Sequence, residues 1–198
     1  MTPQIHVLVF DGYADWEPSY ALAELRRSGG YEVLTVGFTP AAVTSMGGLR
    51  VTPHLTLADV AAEDVRLLIL PGGDMWEREE AYPRVELETL LEQMISAHRP
   101  IAAICAATVA LARARLLDER RHTSNMPTYL GEQVPAYRGS ARYDSALAVT
   151  DGGIITASGL GAVDFARAIF AELAVFTPAD EALWYDMFKH GRLPRSAT

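Results

Sequence analysis

Three short apolar runs, residues 5–10, 65–70 and 101–104, are each bounded by proline or turn residues. A run that short with no polar face is the pattern of a strand buried on both sides. Helical patterns separate the runs: residues 16–27 carry Trp16, Tyr20 and Ala23 or Leu25 on one face, and residues 85–98 do the same with Leu87, Leu90, Leu91, Met94 and Ile95. Strand alternating with helix predicts an α/β fold, a mostly parallel sheet with helices on both faces. Residues 31–37 add a strand, and residues 43–53 read as a hairpin or excursion turning at Gly47-Gly48. Residues 106–117, rich in Ala and Leu and free of Gly and Pro, predict a strong helix. Two strands are expected over 146–150 and 154–157, then helices over 163–176 and 179–189, with a polar tail expected to fray. No repeat, low-complexity tract or proline-rich linker interrupts the pattern, so residues 1–198 are expected to form one domain.

Composition narrows the function classes. With 198 residues, 49% of them hydrophobic, the chain can close a core. Acidic residues outnumber basic ones 25 to 17, a net charge of −8 that repels a polyphosphate backbone, so no nucleic-acid partner is expected. Cys105 is the single cysteine, which rules out an internal disulfide and a thiolate zinc cage; no H-E-x-x-H or H-x-x-x-H pair exists either. No metal or cofactor is expected. The sequence has no apolar run of the roughly 18 to 20 residues that span a bilayer and no secretory signal pattern at its start, so a soluble, cytoplasmic protein with no membrane partner is expected.

Cys105 falls where the third apolar run gives way to a helical pattern, which presents its side chain at the C-terminal edge of the sheet, where open α/β sheets hold their ligands. Small neighbours, Ala103, Ala106 and Ala107, suit the sharp turn of a nucleophile elbow. The following helix terminus is expected to lower the thiol from about 8.5 to roughly 7 to 8. A cysteine there reads equally well as one more small buried hydrophobe. Pro71-Gly72-Gly73 ends the neighbouring strand, where the Gly73 amide together with that of Ala106 would make an oxyanion hole, although a plain strand-to-helix turn reads the same.

Glu17 belongs to the loop and first helical turn after the opening strand, with Asp15 as N-cap. Its functional reading is a proton carrier beside Cys105 with a raised pKa, and its ordinary reading a carboxylate complementing the helix dipole. Among the five histidines His6, His54, His98 and His190 read as structural, whereas His122 follows the elbow helix and is able to return toward the cysteine. Gly159-Leu160-Gly161 half matches a dinucleotide fingerprint but lacks its third glycine, and reads as a close-approach loop on the same crevice. Trp16, Gly72, Asp74 and Gly159 are further pocket candidates because they flank these loops.

Residues 7–12 (VLVFDG) with Glu17, then Leu70-Pro71-Gly72-Gly73, Ala102-Ala103-Ile104-Cys105-Ala106, His122-Thr123-Ser124-Asn125 and Ile155-Thr156-Ala157-Ser158-Gly159, resemble the ThiJ/PfpI superfamily of class I glutamine amidotransferase-like proteins. The resemblance runs in order from about residue 4 to residue 175. It implies a flavodoxin-like α/β sandwich, usually as a homodimer. It also implies a reactive elbow cysteine at Cys105, a carboxylic acid on its sulfur at Glu17, an oxyanion-side amide at Gly73 and a nearby imidazole at His122. Protease-like members carry His directly after the cysteine, whereas this chain has Ala106, so the likeness is to the branch without a Cys-His dyad.

Three functions follow. The leading one is an enzyme in which Cys105 attacks the carbonyl carbon of a small-molecule substrate, with Gly73 and Ala106 holding the oxyanion, Glu17 moving the proton and His122 assisting. Glyoxalase-like chemistry and amide or ester hydrolysis both suit that machinery. The second is a redox-sensing or chaperone-like stress protein whose cysteine is oxidised without turnover. The third is a ligand-binding domain without chemistry.

Overall fold

The computed structural model describes residues 2–193, and the tail expected to fray lies largely outside them. Its strands are β1 (Gln4–Leu8), β2 (Glu32–Gly37), β3 (Val43–Thr44), β4 (Arg50–Val51), β5 (Leu55–Thr56), β6 (Val65–Leu70), β7 (Ile101–Ile104), β8 (Ala148–Asp151) and β9 (Ile154–Ala157). The helices are α1 (Trp16–Arg27), α2 (Arg84–Ser96), α3 (Thr108–Arg113), α4 (Tyr129–Gln133), α5 (Ala162–Leu173) and α6 (Pro178–His190). Seven strands form one sheet in the order β5-β2-β1-β6-β7-β9-β8, parallel throughout except where β8 runs against β9.

The central strands have no polar face because both faces are covered. Along β6, Leu68 and Leu70 point into one core with Trp76, Leu87, Leu91 and Leu111, which α2 and α3 help to close. Leu67 and Ile69 point into the other, with Leu25, Phe165, Phe170 and Trp184 of α1, α5 and α6. Period-two alternation inside an unbroken apolar run thus feeds two separate cores. The arrangement is the flavodoxin-like α/β sandwich. Among the described residues no helix is long and apolar enough to cross a membrane.

Two expectations are corrected. Residues 106–117 do not form one helix: Cys105–Ala107 make a tight 3-10 turn, and α3 lasts six residues. Arg115 then turns left-handed (φ 58°) and the Leu116 N–H bonds back to the Leu111 carbonyl, which closes the helix and buries Leu116 and Leu117. Burial overrides the propensity of an Ala-rich run. Asp15 does not cap α1 with its side chain; its carboxylate accepts from Ser45 Oγ at 2.6 Å instead. Together with the Thr44 N–H donating to Asp11 Oδ1 at 2.8 Å, that bond ties the β3–β4 hairpin to the loop leading into α1.

Candidate active site

Four adjacent parallel strands end at one edge. Each delivers one component there: β1 the segment with Glu17, β6 the Gly72-Gly73 turn, β7 Cys105 and β9 Gly159. Cys105 has φ 59°, a left-handed conformation rare for a residue with a Cβ. Thr108 Oγ1 holds that turn by bonding the Cys105 carbonyl at 2.7 Å and Ser124 Oγ at 2.7 Å. A strained backbone that its surroundings over-determine costs about 1–3 kcal/mol, and such strain clusters at functional sites.

Glu17 is 2% exposed, and its Oε2 accepts the Gly72 N–H at 2.6 Å. A Cβ on Gly72 would stand 2.7 Å from that oxygen and 2.8 Å from Cys105 Cβ, while one on Gly159 would stand 3.0 Å from Cys105 Sγ and 3.3 Å from Glu17 Oε1. Both glycines are therefore walls against which acid and sulfur are pressed together. Burial pushes the Glu17 carboxyl up to about 7, against the opposing hydrogen bonds from Gly72 and the Cys105 side chain. Burial, and then the charge of Glu17, push the thiol up to about 11, against the Asn125 amide and the Ala106 N–H. This overturns the expected lowering by a helix terminus, since desolvation and a facing carboxylate exceed what a six-residue α3 supplies. Thiol with carboxylate, and thiolate with carboxylic acid, carry the same charge and the same proton count, so exchange between them needs no solvent.

The DJ-1/PfpI family profile matches residues 3–172. The chain belongs to the DJ-1/PfpI family. Among similar family proteins, "Uncharacterized protease YoaZ" of Bacillus subtilis (strain 168) is 34% identical over 196 residues, covering 95% of this chain and 91% of that one. The crystal structure of the thiJ/pfpI family protein from Bacillus anthracis superposes with a TM-score of 0.89 at 35% identity, covering 97% of this chain and 92% of that one. A protein of Pyrococcus abyssi (strain GE5 / Orsay) named as a deglycase is 30% identical over 121 residues, 61% of this chain and 71% of that one.

In this member of the DJ-1/PfpI family the expected site residues divide into two groups. Glu17, Gly72, Cys105, Ala106 and Gly159 converge at the sulfur. Gly73 lies beside them at φ 154°, ψ 152°, a conformation that only glycine adopts freely, and a Cβ there would meet the Phe10 ring at 2.7 Å. Its N–H has no protein acceptor among the described residues. The Ala106 N–H, expected to serve an oxyanion, lies beside the sulfur and holds the thiol's rise in check. Trp16 and Asp74 are exposed on the surface nearby.

His122 is a correction. Its ring is fully buried, with Nδ1 on the Arg120 carbonyl at 2.7 Å and Nε2 on the Tyr137 hydroxyl at 2.5 Å, so neither nitrogen is free for the sulfur. Burial pulls its pKa down, which keeps it neutral and structural. The residue from that segment which does reach the sulfur is Asn125: its Nδ2 donates to Cys105 Sγ at 3.3 Å and its Oδ1 accepts the Gly159 N–H at 3.1 Å. Asn125 belongs to the His-Thr-Ser-Asn run, but nothing along the chain gives it a role, and imidazole chemistry points the sequence reading to His122.

Proposed function

We propose that this protein is a cysteine-nucleophile enzyme acting on small carbonyl compounds, by glyoxalase- or deglycase-like chemistry or by hydrolysis of an amide or ester. The observation that carries this reading is Cys105 held left-handed at the sheet edge beside the buried Glu17 carboxyl. Proton transfer from sulfur to Glu17 leaves a thiolate, which adds to the carbonyl carbon. The oxygen of the adduct gains a negative charge, and the N–H groups of Gly73 and Ala106, neither with a protein acceptor among the described residues, are the donors proposed to hold it. Glu17, now carrying a proton, is positioned to return it. Small substrates are favoured over peptides, because Gly72, Gly159 and Asn125 crowd the sulfur.

Purified protein is to be assayed with methylglyoxal and with a panel of amides and esters, alongside Cys105→Ala and Glu17→Ala. The expected result is turnover by the parent protein that both variants lose. No turnover, together with a stoichiometric, peroxide-dependent mass gain at Cys105, would overturn the enzyme in favour of a redox sensor.

A further inference from the structure

Three loops meet at Asn125: its own, the β7–α3 turn bearing Cys105 and the β9–α5 turn bearing Gly159. The two ends of its amide are not interchangeable. The Gly159 N–H can only donate, so it selects the oxygen at 3.1 Å; turning the amide over would set NH2 against N–H with no acceptor between them. The NH2 is thereby fixed on Cys105 Sγ at 3.3 Å. An amide NH2 offers protons and takes none, so it bonds a thiolate better than a thiol. Asn125 Nδ2 is the side-chain donor that the sulfur meets among the described residues. Glu17 Oε2 is occupied by the Gly72 N–H, which leaves Oε1 as the proton acceptor on the sulfur's side.

Resting on the reading of Cys105 as the nucleophile, we infer that Asn125 is a further catalytic residue, which decides the partner of the Cys105–Glu17 pair that holds their shared proton. In the step it favours, the Cys105 S–H bond breaks, its electron pair stays on sulfur, and the proton forms an O–H bond on Glu17. The negative charge moves from carboxylate to sulfur and no other reactant is consumed. The remaining titratable groups around the sulfur leave this balance to Asn125. Tyr129 from α4 spends its hydroxyl proton on Glu77 at 2.9 Å, Arg113 of α3 is bonded to the Trp76 carbonyl and the Tyr82 hydroxyl, and both His122 nitrogens are taken.

The test is the pH dependence of Cys105 alkylation by iodoacetamide in the parent protein, Asn125→Ala and Asn125→Asp. Asn125→Ala is expected to raise the midpoint by about one pH unit, a roughly tenfold slower reaction on the rising limb, with the high-pH plateau unchanged. Asn125→Asp keeps an oxygen for the Gly159 N–H but sets a carboxylate on the sulfur, so it is expected to raise the midpoint at least as far. A parent-like midpoint in both variants overturns the inference. So does a parent-like midpoint in Asn125→Asp alone, which would reduce Asn125 to an anchor for the Gly159 loop. Alkylation requires no substrate, so a protein that turns over no carbonyl compound refutes the proposed function without touching this result.

Discussion

Replacing Glu17 by glutamine makes the low-pH state of the site permanent. The amide oxygen can still accept the Gly72 N–H, and the amide NH2 takes the place of the acid proton toward Cys105. The carboxyl rises from 4.5 to about 7 on folding because it is buried. A raised folded-state pKa contributes stability that is whole below 4.5 and is lost as pH climbs through about 7. At about 1.4 kcal/mol per pH unit the difference amounts to about 3 kcal/mol, and screening does not discount it because the side chain is 2% exposed. Urea unfolding of the parent protein and Glu17→Gln, followed by the fluorescence of buried Trp76 and Trp184, reads it directly. The variant's advantage is expected to grow by about 3 kcal/mol between pH 4.5 and 8.5, or on the order of 10 °C in melting temperature. A pH-independent gap between the two proteins would refute the claim that burial raises this acid.

Two further substitutions separate packing from chemistry. Gly72→Ala puts a methyl group 2.7 Å from Glu17 Oε2 and 2.8 Å from Cys105 Cβ, so the buried acid or the elbow turn must shift; a loss of about 2 kcal/mol in urea unfolding is expected. His122→Phe strips the half-buried Tyr137 hydroxyl and the Arg120 carbonyl of their partner and should cost about 1–3 kcal/mol, while the midpoint of Cys105 alkylation stays where it was. A shifted midpoint would return His122 to the site.

The strands at 65–70, 101–104 and 154–157 and the helix at 16–27 coincide with what apolar periodicity predicts, because each is set by local pattern and covered on the faces that pattern demands. The 106–117 segment departs from its helical pattern because nothing in its own residues reveals that Leu116 and Leu117 are needed in the core. In the site, Cys105 and the glycine turns were legible from where strands end. Asn125 was not, since a loop asparagine acquires meaning only when Gly159, distant in sequence, fixes its amide. The thiol's rise was hidden for a similar reason. A helix terminus can be read along the chain, whereas the desolvation that outweighs it arises only when β1 and β7 end at one edge and the chain closes over the sulfur.

The left-handed backbone at Cys105 sets conformational ease against reactivity at a single codon. Glycine would relax that conformation at no steric cost, but it would give up the contacts Cys105 makes with both cores and widen the freedom of the unfolded chain. A glycine there would mark a descendant that has abandoned thiol chemistry while keeping its architecture.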